Sequence, residues 1–492
     1  MATEITAKEV RKYFAEICAI PHGSGNTKGI QEYLQKFAAA HGLACVTEPC
    51  GNVIIKKAAT PGCEGAPAVV LQGHMDMVAV KEPGCAKDLE HEGLDLAITP
   101  DGQYLFAKGT SLGGDDGIAI AYGLAVLASE EIVHPAIELV ATVDEETGMD
   151  GAKELRPEDV AGRIWLNLDS EDEGILLVGC AGGLTQESVF PVTRDTVSGN
   201  LLRIAVRGCK GGHSGTEIDK NRANAILLLA ELLETMNCGK MLQPLWICGG
   251  EKDNAIPTSA EMVICVNDYE RYEICRAFDA AERKLLDAYR MQEPGVSFAL
   301  EETENGGEFM IQEGSYRVMN AESVRKLLDF LLLVPFGVSE MSVEPKGLVE
   351  TSNNVGIVRT VGETVIVDSS VRSMVEVKKQ LLAEKIALLT SLCGGHTTTQ
   401  AEYPGWQYKQ DSPLRDAWIA EYREQYGSEP VVKTIHAGLE CGLIIEHMPE
   451  VDAISFGPNI LDIHTTAERM EIASVERTWK LLIGLLARLA RG

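Results

Sequence analysis

The alternation of apolar and polar positions divides residues 1–185 into strand-like runs separated by helical stripes. Helical stripes cover residues 10–40, with a break at 21–25, and residues 117–130. Continuous apolar runs, which are typical of buried strands, lie near residues 52–56, 68–72, 137–143 and 164–167. Strands that alternate with helices predict an α/β fold with a largely parallel, doubly wound sheet.

The middle of the chain, residues 186–399, has a different pattern. A half-exposed strand at 201–207 is followed by an apolar-striped helix over 221–236, a strand at 261–267 and a helix over 272–289. A similar order then recurs, with a helix over 321–333, strands near 355–359 and 364–372, and a helix over 377–392. We interpret this segment as an inserted α+β domain made of two tandem units, although similar propensities alone could produce the repeat.

Residues 400–492 return to the α/β style. They contain a predicted helix over 414–426, a strand at 452–456 and a closing helix over 472–490. The chain is too long for a single core. We therefore expect one α/β domain in two parts, 1–185 and 400–492, that is interrupted by the inserted domain.

Polar residues with metal-binding chemistry follow the second of the buried apolar runs. The run at 68–71 leads into His74 and Asp76, an imidazole and a carboxylate two positions apart. Ligands of α/β folds bind outside the carboxyl ends of the strands, so both side chains are expected at a site. A single H-x-D pattern recurs by chance, and it gains weight because later strands end in the same way.

The later segments carry further acidic and histidine residues. Asp115 and Asp116 start a helix within the glycine-rich segment 109–117, where aspartate could also serve simply as an N-cap. The strand at 137–143 leads into three carboxylates at 144–146, which repel one another unless water or a cation neutralises them. An exposed acidic turn is the alternative. Two later positions have the same character: Asp169 after the run 164–167, and His464 after the strand at 452–456.

Together these segments place two imidazoles and several carboxylates at one edge of the predicted sheet. Nitrogen and oxygen ligands without thiolate are typical of a catalytic zinc site. An excess of carboxylates indicates two ions about 3.5–4 Å apart, which polarise a carbonyl and lower the pKa of a bridging water towards ~7. One carboxylate must then stay off the metals to accept the proton. Glu145 and Glu146 suit this division, since neighbours on an extended chain point in opposite directions.

Composition narrows the class of protein. The 492 residues include 45% hydrophobic and 24% charged residues, which is typical of a globular protein, and the net charge of −29 disfavours nucleic acid and anionic membranes as partners. No run approaches the roughly 20 apolar residues of a membrane span. The first four residues show no export signal, so we expect a cytoplasmic protein. The 13 cysteines form no C-x-x-C pair, which indicates reduced thiols rather than a disulfide framework.

The order of the motifs resembles the M20 metallopeptidases, also called the aminoacylase-1 or carboxypeptidase G2 family. The shared motifs are H-x-D at 74–76, G-x-x-x-G-x-D-D-G at 109–117, D-E-E at 144–146, L-x-x-D at 166–169 and I-H at 463–464. Details such as His-Ala-Gly-Leu-Glu-Cys-Gly at 436–442 are similar to the aminoacyl-histidine dipeptidases of that family. The resemblance implies a zinc-exopeptidase-type catalytic domain with an inserted lid, whose repeat suggests two ferredoxin-like units.

The resemblance also implies a role for each matching position. The implied metal ligands are His74 and Asp169 for one zinc ion, Glu146 and His464 for the other, and Asp115 as the bridge. Asp76 would orient His74, a common partnership for ligating histidines. Glu145 would be the general base and would later protonate the leaving amine. Asp116 stands where relatives often have asparagine, and we leave it out. Mn²⁺ and Co²⁺ share these ligands with Zn²⁺.

Residues of the lid and of the segment 436–440 are expected to contact the substrate. On its own, His213 in a glycine turn indicates a structural histidine and Arg372 a surface strand residue. The resemblance instead places His213 over the scissile carbonyl, where it stabilises the oxyanion. By the same comparison Asn254 and Arg372 would bind the substrate's carboxylate, for which the planar guanidinium is suited. His436 and Glu440 are expected near the free amine.

These expectations describe a two-metal hydrolase of dipeptides that have free amino and carboxyl ends, with histidine preferred at the second position, including β-Ala-His. A metal-bridging hydroxide would attack the peptide carbonyl, and closure of the lid would exclude water. The alternatives are an N-acyl amino acid amidohydrolase of the same family and a non-catalytic binding protein. Relatives use the lid for dimerisation, so a homodimer is expected unless the duplicated lid replaces the partner subunit.

Overall fold

The computed structural model describes residues 6–239, 242–343 and 346–491, so the first four residues, where no export signal is expected, lie outside the described part. The chain forms two compact units. The first contains the residues up to Cys180, Trp406–Thr434 and the residues from Leu439 onward, and the second contains Ala181–Gly405 and Ile435–Gly438. The chain passes into the second unit after Cys180, a few residues before the first predicted boundary. It returns to the first unit at Trp406, a few residues after the second predicted boundary. The sequence did not predict that the short segment Ile435–Gly438 belongs to the second unit.

The strands and helices alternate along the chain. The strands are β1 (Ala44–Thr47), β2 (Val53–Lys57), β3 (Val69–His74), β4 (Leu96–Ile98), β5 (Tyr104–Ala107), β6 (Ile137–Thr142), β7 (Ile164–Asn167), β8 (Ile175–Cys180), β9 (Gly182–Pro191), β10 (Arg194–Ser198), β11 (Asn200–Arg207), β12 (Gly212–His213), β13 (Pro244–Gly249), β14 (Ala255–Ile256), β15 (Ala260–Val266), β16 (Ser297–Thr303), β17 (Met310–Gln312), β18 (Ser315–Met319), β19 (Gly337–Met341), β20 (Val349–Val361), β21 (Thr364–Ser373), β22 (His396–Tyr403), β23 (Val431–Ile435), β24 (Asp452–Ser455), β25 (Ile460–Leu461) and β26 (Arg469–Glu471). The helices are α1 (Lys8–Cys18), α2 (Lys28–Ala40), α3 (Gly114–Ala128), α4 (Glu145–Gly148), α5 (Asp150–Glu154), α6 (Ala225–Met236), α7 (Asp268–Tyr289), α8 (Ala321–Leu333), α9 (Glu376–Leu392), α10 (Pro413–Tyr426), α11 (Glu440–His447) and α12 (Ile472–Leu489).

The first unit is built on a mixed sheet with the strand order β1-β2-β6-β3-β7-β24-β8-β23. The four central strands, β6, β3, β7 and β24, are parallel. The sheet is antiparallel at the pairs β1–β2, β2–β6 and β24–β8. The predicted largely parallel sheet is thus confirmed for its centre, and the flanking antiparallel strands are an addition to it.

Helix α3 forms the centre of the hydrophobic core of the first unit. It is buried from Gly114 to Leu127, which is typical of a helix that is covered on all sides. Gly123 makes the close packing against the sheet possible, because a methyl group there would lie 2.4 Å from Leu139 Cδ1 on β6. The helix begins at the sheet edge where the candidate ligands lie, so this packing also fixes the position of its first residues.

The second unit contains an antiparallel sheet with the order β16-β11-β15-β13-β20-β21-β9-β22, with β19 paired to β20. Two halves with the ferredoxin-like order β-α-β-β-α-β meet at β13 and β20: β11-α6-β13-β15-α7-β16, and β9-α8-β20-β21-α9-β22. The repeat expected from the sequence is therefore present. The second half takes its first strand, β9, from before the first half, which the sequence pattern did not reveal.

In the described ranges no helix has both the length and the apolar content that are needed to cross a membrane.

Close backbone packing at Gly457 generates the first prediction. A methyl group on Gly457 would lie 1.8 Å from the carbonyl oxygen and 2.8 Å from the carbonyl carbon of Ser170. Backbone atoms cannot rotate away as a side chain can, so Gly457→Ala is expected to lower the free energy of unfolding by at least about 1–3 kcal/mol. The denaturation midpoint in urea measures this change. Gly65→Ala is the control, because no atom lies within 4 Å of a methyl group there; equal midpoints for the two variants would contradict the prediction.

Candidate metal centre and active site

The carboxyl ends of three neighbouring strands carry most of the candidate ligands. Strands β6, β3 and β7 are adjacent and parallel, so their carboxyl ends open at the same edge of the sheet. His74 is the last residue of β3, Asp169 follows β7, and Glu145 and Glu146 follow β6. These four side chains therefore lie at one edge of the sheet.

Asp115 lies between the two histidines. Its Oδ1 is 3.0 Å from His74 Nε2, and its Oδ2 is 3.1 Å from His464 Nε2. Asp169 Oδ1 is 3.5 Å from His74 Nε2, and Glu146 Oε2 is 3.0 Å from His464 Nε2. In each of the two resulting groups, ligand atoms of all three residues lie within 4.8 Å of one another. The structure thus brings the five candidate ligands together, with Asp115 shared by both groups.

The ring of His74 is oriented by Asp76. His74 Nδ1 lies 3.0 Å from the carbonyl oxygen of Asp76 and 3.5 Å from its carboxylate Oδ1. The other ring nitrogen, Nε2, is therefore the one that faces Asp115 and Asp169 and could bind a metal ion. The fully buried Asp76 also accepts hydrogen bonds from Ser24 Oγ at 2.8 Å and from the backbone N–H of Glu145 at 3.1 Å. One carboxylate therefore contacts both a candidate ligand and the backbone of the candidate base.

The local conformation of Glu145 and Glu146 differs from the expectation. They start the helical turn α4 rather than continuing an extended chain, so the argument that extended neighbours point in opposite directions was wrong here. The turn begins directly after β6 because Asp144 adopts a left-handed conformation with φ of 53°. Its carboxylate accepts a hydrogen bond of 2.6 Å from the Gly25 N–H. The two glutamates nevertheless separate, since only Glu146 contacts His464.

Burial and the close approach of charged side chains shift the pKa values of His74, Glu145 and Asp169. Burial opposes protonation of His74, but the neighbouring carboxylates, Asp169 first, outweigh burial and raise its pKa well above the usual range. Burial raises the pKa of Glu145 to about 8, with further contributions from nearby carboxylates such as Glu146. Burial also raises the pKa of Asp169. Several carboxylates in a buried space are unfavourable unless positive charge is added.

The donor set fits divalent cations. It consists of imidazole nitrogens and carboxylate oxygens, which zinc, manganese and cobalt all accept. Glu146 Oε1 is buried and has no hydrogen-bond partner among the described residues, so it is available to a cation. His74 and Asp169 with one oxygen of Asp115 could hold one ion, and Glu146 and His464 with the other oxygen could hold a second.

The loop before Asp115 is held by Glu468, a residue to which the sequence analysis gave no role. Glu468 Oε2 accepts hydrogen bonds from the backbone N–H groups of Leu112 at 2.7 Å and Gly113 at 3.0 Å. Its Oε1 accepts a third from Gly114 at 2.8 Å. A carboxylate at the N–H groups that open a helix satisfies donors that would otherwise be unpaired. Glu468 thereby fixes the start of α3, where Asp115 lies.

Asp116 is a member of neither group of candidate ligands. Its Oδ2 accepts a hydrogen bond of 3.3 Å from the backbone N–H of His74, and its peptide bond to Asp115 is cis. A methyl group on Gly73 would lie 2.3 Å from the same oxygen. Asp116 therefore packs under strand β3 and supports the backbone of a ligand.

His213 lies within the second unit in a well-defined tautomer. It belongs to β12, which pairs with β14. Its Nδ1 accepts hydrogen bonds from the backbone N–H groups of Gly215 at 3.2 Å and Thr216 at 3.1 Å. Burial and then Arg372 lower the pKa of His213. A neutral ring whose Nδ1 accepts must carry its proton on Nε2, so His213 presents a hydrogen-bond donor.

The other lid residues differ in their accessibility. Arg372 is buried on β21, where Nη1 donates to Tyr403 Oη at 2.9 Å and Nε has no partner among the described residues. Asn254 is exposed, and its backbone carbonyl oxygen accepts a hydrogen bond of 2.8 Å from the backbone N–H of Ser214. His436 is expected on the catalytic side from its position in the chain, but it lies in the second unit. There its Nε2 lies 2.7 Å from Ser352 Oγ, and burial lowers its pKa to about 3.

Glu440 is completely buried in the first unit. It opens helix α11, and its Oε2 accepts hydrogen bonds from Gln72 Nε2 at 2.5 Å and Thr142 Oγ1 at 2.8 Å. Burial raises its pKa to about 7. Its complete burial disfavours the contact with a substrate amine that the sequence analysis expected, because such a contact needs an accessible carboxylate.

Comparison with known proteins decides the family. The family model described as Peptidase family M20/M25/M40 matches residues 70–488. The chain belongs to this peptidase family. The cytosol non-specific dipeptidase of Escherichia coli (strain K12) is 34% identical to this M20 peptidase over 487 residues, which cover 98% of each chain.

Solved structures extend the comparison. The crystal structure of aminoacylhistidine dipeptidase from Vibrio alginolyticus has a TM-score of 0.87 and 34% identity to this M20 peptidase, and the match covers 98% of this chain and 97% of that chain. The aminopeptidase PepT from Bacillus cereus ATCC 10987 has a TM-score of 0.56 at 16% identity, covering 99% of each chain. The PepT likeness shows a shared fold.

Sequence reasoning missed the residues that support the ligands. Ser24, Gln72 and Glu468 carry no metal-ligand signal, because an isolated serine, glutamine or glutamate is common on any protein surface. The polar Gln72 inside an otherwise apolar strand was the one available signal. Their roles depend on contacts between segments that are far apart in the chain, such as the 356 positions that separate Leu112 from Glu468.

The role of Glu468 generates the second prediction. Glu468→Ala leaves three backbone N–H groups without their acceptor, so the start of α3 and the position of Asp115 become less well defined. We expect the affinity for divalent metal to fall by about 10–100-fold, the usual effect of losing a group that positions a ligand. Competition with a chromogenic chelator measures this affinity. Glu450→Ala, which removes a glutamate that is 58% exposed, is the control, and an equally small loss in both variants would contradict the prediction.

Proposed function

We propose that this chain is a dinuclear metallo-dipeptidase that hydrolyses dipeptides with free amino and carboxyl ends. The observation that carries the proposal is Asp115, whose two carboxylate oxygens lie 3.0 and 3.1 Å from two different histidines and are shared by both ligand groups. The names of the E. coli and Vibrio relatives, a non-specific dipeptidase and an aminoacylhistidine dipeptidase, support the substrate class.

Two divalent ions would be held by His74, Asp169 and Asp115 on one side and by Glu146, His464 and Asp115 on the other. Zn²⁺ is favoured for such a donor set, and Mn²⁺ and Co²⁺ also fit it. When bound, the ions would polarise the peptide carbonyl and lower the pKa of a water molecule. Neutralising the crowded carboxylates is the contribution that the ions make to the site itself.

Glu145 acts in this proposal as the general base. It lies beside His74 and Glu146, with ligand atoms of the three residues within 4.8 Å of one another, yet it belongs to neither pair that contacts Asp115. The hydrogen bond from its backbone N–H to Asp76 fixes its position. Its carboxylate takes a proton from the attacking water and later delivers it to the nitrogen of the leaving amine.

In this proposal, groups of the second unit would bind the rest of the substrate. His213 would donate its Nε2–H to the developing oxyanion, a role supported by the backbone hydrogen bonds at Nδ1. Arg372 would bind the terminal carboxylate, with an Nε–H that has no partner in the described part of the chain. Asn254 would assist at the carboxylate. His436 contacts Ser352 in the same unit and would support this binding region rather than reach the amine.

Three finer points complete the proposal. Histidine is the preferred second residue of the substrate, as the name of the Vibrio relative suggests. The protein acts in the cytoplasm, as the name of the E. coli relative suggests. Assembly into a homodimer through the second unit stays a prediction.

A substrate panel tests the activity. Metal-free protein is reconstituted with Zn²⁺, Mn²⁺ or Co²⁺ and assayed with Ala-His, β-Ala-His, Ala-Ala and N-acetyl-histidine. We expect cleavage of the free dipeptides, fastest for those ending in histidine, and none of N-acetyl-histidine. Cleavage of N-acetyl-histidine alone would identify an amidohydrolase, and metal binding without any turnover would identify a binding protein.

Replacement of the proposed base tests the mechanism. Glu145→Gln keeps the size of the side chain but cannot accept a proton, so kcat for Ala-His is expected to fall by about 10²–10⁴-fold. The bound metal, measured by atomic emission after gel filtration, should stay at the wild-type amount. Glu424→Gln, at a side chain that is 73% exposed, is the control. Unchanged kcat in Glu145→Gln would refute the assigned base.

A further inference from the structure

Each of the three strands that lead to the metal centre carries a fully buried polar side chain within two residues of its end. These residues are Gln72 on β3, Thr142 on β6 and Asn167 on β7, and all three have no exposed surface. Strands that are buried on both faces of a parallel sheet normally carry apolar side chains at such positions. Three polar exceptions this close to the strand ends call for a structural explanation.

The residue that links the three strands is Glu440. Gln72 Nε2 and Thr142 Oγ1 both donate to Glu440 Oε2, at 2.5 and 2.8 Å. Asn167 Nδ2 donates to Gln72 Oε1 at 2.7 Å, which extends the network to the third strand. A single carboxylate oxygen, carried by helix α11, therefore connects β3 and β6 directly and β7 through Gln72.

The network lies close to the candidate ligands along each strand. Gln72 precedes His74 by two residues, and Asn167 precedes Asp169 by two. Thr142 pairs in register with His74, and its carbonyl oxygen accepts from the N–H of Met75 at 2.8 Å. A shift of one strand against another at this level would displace the side chains that form the metal centre.

We propose that Glu440 is a positioning residue that holds the ends of β3, β6 and β7 in the arrangement that the metal ligands require. The inference rests on the proposed metal site but not on the identity of the peptide that is cleaved. It replaces the direct substrate contact that the sequence analysis expected for Glu440.

The free-energy cost of burying the Glu440 carboxylate supports a role of this residue in the site rather than in stability alone. A fully buried carboxylate loses its hydration, and stability is often unchanged or improved when such a group is replaced by an apolar one. Glu440 Oε1 has no hydrogen-bond partner in the described part of the chain, so half of the carboxylate contributes no hydrogen bond to the fold. A role in a functional site is one explanation for an unpartnered buried polar group of this kind.

Variants of the two donors test the proposal, because removal of Glu440 itself could prevent folding. Thr142→Val keeps the shape of the side chain but removes the hydroxyl donor, and Gln72→Met removes the amide that connects Glu440 to Asn167. The protein is loaded with Co²⁺, whose visible absorption spectrum reports the geometry of its ligands. We expect both variants to shift this spectrum and to lower Co²⁺ affinity by about 10–100-fold. For Ala-His, kcat should fall with KM little changed.

A double variant and a buried control sharpen the result. Because both donors act through one oxygen, the losses of affinity in Thr142→Val and Gln72→Met should not add in the double variant. Thr390→Val is the control, since Thr390 is a fully buried threonine of the second unit that bonds to Ser188 and Ile386. It should lose stability in urea with no change in the Co²⁺ spectrum.

Two outcomes would overturn the proposal. Loss of stability with an unchanged spectrum and unchanged Co²⁺ affinity would make the network purely structural. A rise in KM for Ala-His with unchanged Co²⁺ affinity, strongest in Glu440→Gln, would restore the substrate contact. If no dipeptide is cleaved even by the wild-type protein, the dipeptidase proposal fails, but the spectrum and the affinity still decide the role of Glu440.

Discussion

The shared carboxylate of Asp115 is the contact on which the site depends. Its two oxygens face two imidazoles that come from opposite ends of the chain, His74 at the end of β3 and His464 between β25 and β26. The bridge between two ions that we propose for Asp115 requires the carboxylate, both rings and their partners to be fixed to within a fraction of an ångström. Much of the polar structure of the first unit can be understood as meeting that requirement.

Buried carboxylates supply this fixation. Asp76 contacts His74 through both its backbone carbonyl and its carboxylate and holds the backbone of Glu145. Glu468 binds three N–H groups at the start of α3, and Glu440 connects the strand ends. Each of them gives up hydration, which is tolerated because each accepts several hydrogen bonds. The first unit therefore combines an apolar sheet with acidic groups concentrated at one edge.

In the second unit, burial and hydrogen bonds likewise fix neutral and cationic side chains. Backbone N–H groups at Nδ1 select the tautomer of His213, and burial keeps His436 neutral beside Ser352. Arg372 lies near both histidines, and its positive charge lowers the pKa of each. A buried cation beside oriented neutral donors suits a carboxylate and a developing oxyanion.

The sequence by itself determined the α/β class, the strands that lead to the site and the chemistry of the candidate ligands. It could do so because apolar periodicity is a local property and because His74, Asp115, Glu146, Asp169 and His464 stand at element ends. Only the tertiary structure decided the helical turn at Glu145, the place of His436, the burial of Glu440 and the role of Glu468. These depend on contacts between residues far apart in the chain, such as Glu440 with Gln72 across 368 positions. Local sequence patterns do not predict which distant donor a buried carboxylate will contact.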